Sequence, residues 1–383
     1  MSQPSPYTPG VVARDVPGRA TQLAFFRERA EYIGLLSGFS GRVTVYHAAR
    51  GIGKTSLLRS AQRIFRANKI QTVWITADEN EPLIETVLSE IQNTLPATHK
   101  ARKVIHDALE SVTVSVGTSG TGVKATLKPT AIATSKAKVF QRALQTTTEA
   151  LSESGERGLV ILIDEIQSAD PQSIRTLAHA WQEMASLDPP PPAGIFAAGL
   201  PGSQEIINKA VTFSERYNFV PLPDLEDSGV AAALVEPSKA LGVAWDTEAL
   251  KLAVQNAQGF PYKVQLIGQA AWFAAGFPAK GATITVDNVV DAMPEVNREM
   301  RSLYAARWRA ATRKQQQLIA AIAELGGKDV RRDQVAELLG VSTGALSVPR
   351  DRLLRAGTIE ATDHGLMSFT VPGFTEYVKQ VAN

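Results

Sequence analysis

The chain contains no cysteine. That excludes disulfides, thiolate zinc sites and cysteine nucleophiles, and it fits a cytoplasmic protein that needs no oxidative cross-link. An uninterrupted apolar run approaching the roughly 20 residues of a membrane span is also missing. Met1 to Gly10 are polar and proline-rich, without the charged-then-apolar order of a signal peptide, so no membrane partner is expected. Charge of one sign is scarce as well. Forty Lys and Arg against 38 Asp and Glu leave a formal net charge of +2. This balance is too mild to mark the whole chain as a nucleic-acid binder, although cations can still concentrate in one unit.

What is present is ample apolar material. A hydrophobic content of 44% with 20% charged residues describes a globular protein with real cores. A length of 383 residues exceeds one ordinary core, so two or three domains are expected. Residues 1–40 read as a loose N-terminal arm, to about residue 18, and then a helix whose pattern runs through Leu23, Phe26, Tyr32, Leu35 and Leu36 to Gly38. Over residues 41–223, the short runs RVTVYH, TVWIT, LVILI, GIFAAGL and FVPL alternate with helical patterns, and the inner runs are apolar throughout. Such strands are buried on both faces, which predicts an α/β core around a parallel five-stranded sheet. Within it, residues 111–135 are rich in Ser, Thr and Gly and read as an inserted hairpin or loop, with a long helix starting near Lys138. Residues 224–306 show helical patterning only, and residues 307–383 form a last unit.

Between the first strand and its helix lies Ala48-Ala49-Arg50-Gly51-Ile52-Gly53-Lys54-Thr55-Ser56, a Walker A pattern with Ala48 where Gly is commoner. Glycines let backbone N–H groups turn inward as an anion nest, and the following helix presents its positive end to phosphates. In this arrangement Lys54 reaches the β- and γ-phosphates and the Thr55 hydroxyl holds Mg²⁺. The third strand ends in Asp164-Glu165, at the edge where α/β sheets bind ligands. Asp164 is the second Mg²⁺ ligand, and Glu165 the general base that polarises the attacking water. The end of the fourth strand, Ala197 to Pro201, offers no polar side chain to sense a γ-phosphate. Arg216, just before the fifth strand, is either an arginine finger acting on a neighbouring subunit of a homo-oligomer or an ordinary surface arginine.

With these motifs the chain resembles AAA+/STAND-type P-loop ATPases, similar to archaeal-type ATPases and origin-recognition initiators. The resemblance implies ATP or ADP with Mg²⁺ as cofactors, and a small helical lid over residues 224–306. It also implies that Pro17-Gly18-Arg19 lies near the adenine and that Gly259-Phe260-Pro261 is the lid motif packing against the nucleotide. Initiators carry a sensor arginine in this lid helix, whereas Tyr262 and Lys263 stand here. That departure implies a slow switch rather than a processive motor.

Residues 307–383 show a helix at 313–325, a second at Val330–Gly340, a third carrying Pro349 to Arg355, and two strands at 358–361 and 366–371 around Asp363-His364-Gly365. The order resembles a winged helix-turn-helix. In DNA-binding forms Ser342, Thr343, Ser347, Arg350 and Arg352 face the major groove of double-stranded DNA, with Arg331 and Arg332 on phosphates. Winged helices also dock proteins, so an ATP-dependent switch at DNA and a signalling regulator with a protein partner both stand. An enzyme acting on a small substrate would need a second catalytic constellation, and the sequence shows none.

Overall fold

The structure, a computed structural model, describes residues 2–95, 100–117, 129–211, 216–362 and 365–382. After helix α1 (Ala20–Leu36), strands β1 (Val43–His47), β2 (Gln71–Thr76), β3 (Leu159–Asp164), β4 (Ala193–Gly199) and β5 (Tyr217–Pro221) form one sheet in the order β2-β3-β4-β1-β5. All its pairings are parallel, as expected. Every residue of β3 is buried, with Leu159, Ile161 and Ile163 in one core and Val160 and Leu162 in the other. This is the two-residue period of a strand covered on both sides, and each such side chain contributes about 1.5–3 kcal/mol on burial. Because β4 lies between β1 and β3, their following loops leave the same carboxyl edge roughly 10 Å apart.

The covering helices are α2 (Lys54–Ala67), α3 (Leu83–Thr94), α4 (Lys100–Gly117), α5 (Pro129–Glu153), α6 (Pro171–Met184) and α7 (Ser203–Ala210). The hairpin or loop expected at 111–135 is corrected: its two ends are helical, belonging to α4 and α5, and residues 118–128 lie outside the described residues. The governing signal is the buried series Ala101, Ile105, Ala108 and Val112, spaced by four, three and four. Helical spacing of this kind overrides the Ser/Thr-rich texture.

The loose arm is corrected too. Tyr7 is fully buried, edge-on to Trp272 at 6.2 Å, and its hydroxyl donates to the Leu234 carbonyl and accepts from Trp245 Nε1 at 3.2 Å. Trp272 Nε1 in turn donates to the Gln3 carbonyl at 3.0 Å. A Cβ at Gly268 would come within 2.5 Å of the Tyr7 ring, so only glycine admits the arm.

The partner of the arm is a helical segment of α8 (Asp227–Ala240), α9 (Thr247–Ala257), α10 (Pro261–Ala274) and α11 (Val286–Ala310). It is not helical only, since β6 (Ala244–Trp245) and β7 (Thr283–Ile284) pair in parallel. The boundary expected at 306/307 falls inside α11. Beyond it come α12 (Arg313–Glu324), β8 (Val330–Arg331), α13 (Arg332–Leu338), α14 (Ser347–Arg355), β9 (Ile359–Glu360), β10 (Leu366–Phe369) and α15 (Phe374–Val381). The helix expected from Val330 starts at Arg332, because Val330 and Arg331 pair with Met367 and Leu366 and complete the sheet β8-β10-β9. His364 and Asp363, expected at the turn, lie outside the described residues. Among the described residues no helix is long and apolar enough to cross a membrane.

Candidate functional site

The loop after β1 is shaped by two glycines in the left-handed region, Gly51 at φ +93° and Gly53 at φ +90°. A Cβ at Gly51 would meet the Phe260 ring at 2.7 Å and the Tyr262 Cβ at 3.2 Å, so the loop is clamped by the start of α10. Lys54 opens α2 and is 6% exposed, its ammonium donating to the Ala48 carbonyl at 2.9 Å and the Ala49 carbonyl at 2.8 Å. Burial pushes this ammonium down to about 8; Glu165 and Asp164 oppose the shift, and Arg50 and Arg307 reinforce it.

The Thr55 hydroxyl donates to Asp164 Oδ2 at 2.7 Å, joining the loop to the end of β3. Asp164 is buried, and its carboxyl is held above the usual carboxylate range by that burial, against the stabilising Thr55 hydrogen bond. Glu165 adopts φ 52°, ψ 40°, a left-handed conformation that costs a non-glycine residue on the order of 1 kcal/mol. Its N–H donates to Asp164 Oδ1 at 3.0 Å, and its carboxylate accepts from Gln167 Nε2. Gln167 Oε1 accepts the Leu200 N–H at 2.9 Å. The polar group at the end of β4, not found in the β4 sequence itself, therefore comes from the turn after β3.

These residues surround a cavity of about 310 Å³, lined by Arg50 to Ser56, Glu165, Pro261 and Tyr262. Arg19 lines it too, and is 5% exposed, donating to the Pro223 carbonyl at 2.8 Å and the Ile52 carbonyl at 3.3 Å. Burial lowers its pKa, with Asp224 opposing. Ala48, Ala49 and Gly259 stand behind the wall. The alanines supply the Lys54 acceptors, and the Gly259 carbonyl accepts the Leu225 N–H at 2.8 Å. The wall that sequence reasoning missed is the arm. Thr8, Gly10 to Ala13, Asp15 and Val16 line the cavity, and Ala13 N–H donates to Ser56 Oγ at 3.0 Å. Its only sequence signal is Tyr7, a large aromatic in a polar tail.

Two oxygen donors at adjoining element ends, the Thr55 hydroxyl and a buried Asp164 carboxylate, fit a hard cation such as Mg²⁺, which keeps water and phosphate oxygens as its other ligands. No group of three or more His, Cys, Asp or Glu that could hold a metal is found among the described residues.

Arg216 is exposed and immediately precedes β5, whose first residue pairs with the first residue of β1. It sits at the amino edge of the sheet, roughly 17 Å of strand away from the phosphate loop. Ser214 and Glu215 lie outside the described residues. In the C-terminal segment, Arg332 donates to Ser347 Oγ at 2.6 Å, Arg331 Nε donates to Asp333 at 3.0 Å, and the Ser342 hydroxyl accepts the Ala345 N–H. Arg331, Arg332, Thr343 and Arg350 line a cleft of about 1040 Å³ against Gln204 and Glu205 of α7. Ser347, Arg350 and Arg352 line the adjoining one with Lys209. Of the residues expected to contact DNA, Arg331, Arg332, Thr343, Ser347, Arg350 and Arg352 thus line clefts beside α7, where Lys209 meets Asp351 at 3.6 Å, and Ser342 lines neither.

Residues 15–191 match the family described as AAA ATPase domain, and residues 301–378 match a domain of unknown function, DUF8462. No curated protein matches the chain. Among solved structures, the chain is similar to the Walker-type ATPase PABY2304 of Pyrococcus abyssi, at 16% identity over 98% of both chains with a TM-score of 0.58. It is also similar to the ORC2 protein of Aeropyrum pernix in its ADPNP–ADP complexes, at 15% identity over 98% of this chain and 96% of that one, TM-score 0.57. Residues 15–191 are thus similar to AAA ATPase domains, and the chain shares the fold of these solved structures.

Proposed function

We propose that the chain binds ATP or ADP with Mg²⁺ between the sheet and a lid formed by residues 224–306, hydrolyses ATP slowly, and acts as a nucleotide-controlled switch at double-stranded DNA through a winged helix in residues 307–383. The observation that carries the nucleotide reading is the 2.7 Å bond from Thr55 to Asp164, which brings the two halves of a phosphate-and-metal site together beside Lys54 and Glu165. The ORC2 relative, solved with ADPNP and ADP, supports the choice of nucleotide.

In this reading the loop amides and Lys54 hold the β- and γ-phosphates. Thr55 and Asp164 would hold Mg²⁺, which would supply positive charge against the phosphate oxygens. Glu165 takes a proton from water as its oxygen attacks the γ-phosphorus and the bond to the β-phosphate oxygen breaks. Arg19, Pro261 and the arm surround the rest of the nucleotide, and Gly259 sets the turn into Pro261. Arg216, at the far edge of the sheet, acts on the site of a neighbouring copy, which makes specific activity rise with protein concentration. The DNA reading rests on the helix, helix, helix and sheet order of residues 313–369 and on the basic face of α13 and α14.

The test is ATP turnover and duplex retention by the full chain. Lys54→Ala should lose nucleotide binding, and Glu165→Gln should keep binding while hydrolysis falls on the order of 10²-fold. Unchanged turnover in Glu165→Gln would remove that residue from its role. A second reading, a signalling regulator whose winged helix docks a protein, is favoured by the packing of α14 on α7 through Asp351 and Lys209. Complete absence of salt-dependent duplex binding, with or without ATP, would select it.

A further inference from the structure

Beside the nucleotide cavity lies a second cavity of about 410 Å³, enclosed by the phosphate loop, the start of α10, α11 and the C-terminal segment. Arg50 and Gly51 line both cavities, and Tyr262 forms part of the wall between them. Two guanidinium groups, Arg50 and Arg307, line the second cavity, and among the described residues no Asp or Glu does. The remaining lining is mostly apolar, including Leu303, Ala310 and Leu353, with Gln315 and Thr358 as uncharged polar groups. Arg307 is half-buried, and its Nη1 donates to Thr370 Oγ1 at 2.9 Å and to the Gly357 carbonyl at 3.3 Å, acceptors that carry no charge. Burial pushes Arg307 down to about 10, Arg50 reinforcing the shift, so at neutral pH it stays a cation held near another cation.

Two guanidinium groups brought to one partly enclosed cavity without a carboxylate are an arrangement that an anion relieves. The planar guanidinium fork suits phosphate oxygens in particular. We infer that the cavity between the phosphate loop, α10, α11 and the C-terminal segment is a second anion site, in which Arg50 and Arg307 grip a phosphate group. That phosphate belongs either to the distal end of a nucleotide on the loop or to a separate phosphorylated molecule; the chemistry is shared. The site's regulatory meaning rests on the nucleotide-switch reading, because Arg307 ties the anion to Gly357 and Thr370, which flank β9 and β10 of the C-terminal unit. The existence of the site does not rest on it.

The experiment uses the full chain carrying Lys54→Ala, which disables the phosphate loop, and titrates it with inorganic pyrophosphate by calorimetry. Adding Arg307→Gln, or Arg50→Gln at the exposed loop tip, is expected to weaken pyrophosphate about tenfold or more, as charge-assisted hydrogen bonds are lost. Thermal melting checks that each variant is folded, and the Arg50 variant reads the site if the Arg307 variant is not. In the chain with Lys54 intact, a non-hydrolysable ATP analogue weakened by Arg307→Gln while ADP is not identifies the nucleotide as the source. Arg307-dependent pyrophosphate binding to the analogue-loaded chain identifies a separate molecule. Pyrophosphate affinity unchanged in both arginine variants overturns the site. Failure of ADP to bind the chain with Lys54 intact would sink the nucleotide reading alone, because the Lys54→Ala titration still reports on the second cavity.

Discussion

Gln167 donates its side-chain amide to the Glu165 carboxylate while accepting the backbone N–H of Leu200 at 2.9 Å, so one side chain ties the proposed base to the end of β4. The tie matters because Glu165 sits in a left-handed backbone conformation, where little else fixes its carboxylate. Gln167→Leu keeps the bulk and removes both bonds, together with the one that Gln167 Oε1 accepts from the Ser203 hydroxyl at 3.4 Å. We expect nucleotide affinity within about twofold and turnover lower by about tenfold, a fraction of what a positioned base supplies. Single-turnover hydrolysis set against equilibrium binding separates the two. A fall in affinity without a fall in the chemical step would make Gln167 part of the binding wall instead.

Lys54 gives the site a pH dependence. Its ammonium is pushed down to about 8 by burial, and a bound polyphosphate raises it again by supplying the opposite charge. The complex therefore holds a proton that the free protein loses above about 8. Affinity should be flat below that pH and fall by up to about tenfold per unit above it, with proton uptake on binding. Calorimetry between pH 7 and pH 10, in buffers of different ionisation enthalpy, measures both quantities. Lys54→Arg, which stays charged, should flatten the profile, and a flat profile in the unaltered chain would contradict the assignment.

The candidate site is legible in the sequence because its signals are local. Gly51, Gly53, Lys54 and Thr55 fall within five residues, and an apolar strand delivers Asp164 and Glu165. What escaped depends on contacts between segments distant in the chain. Tyr7 pairs with Trp272, and nothing in the tail announces a partner 265 positions away. Val330 and Arg331 join a strand because Met367 and Leu366 need an edge partner, whereas their own sequence leads into a helix. Arg307 sits in the helical pattern of α11 as one basic residue among several; only the third dimension brings it to Arg50. The Ser/Thr-rich stretch misleads for a different reason, since its composition masks the buried helical spacing that precedes it.

The arm yields a stability prediction. Tyr7 is wholly buried and seals Trp272 and Gly268. Tyr7→Ala should destabilise the fold by about 3–5 kcal/mol, the cost of emptying a large aromatic site. The same arm lines the proposed nucleotide cavity, so affinity for ADP should fall together with the melting temperature. Denaturant unfolding with and without ADP tests the link; an arm variant that melts early yet binds ADP normally would uncouple the arm from the site.

The contact between α7 and α14 bears on the proposed binding of DNA. The basic face of α13 and α14 points at α7, and Lys209 lies 3.6 Å from Asp351. Lys209 is 57% exposed, so the pair itself is worth at most about 1 kcal/mol. Lys209→Glu replaces that attraction with repulsion from Asp351 and Glu205. If duplex DNA has to displace α7, loosening the contact should raise duplex affinity, by roughly two- to fivefold for an energy of that size. If Lys209 instead touches phosphate, the same change lowers affinity and reduces the slope of log affinity against log salt by about one. Titrating a labelled duplex at several salt concentrations reads both quantities. An affinity that rises with the slope unchanged assigns α7 the part of a cover over the basic face.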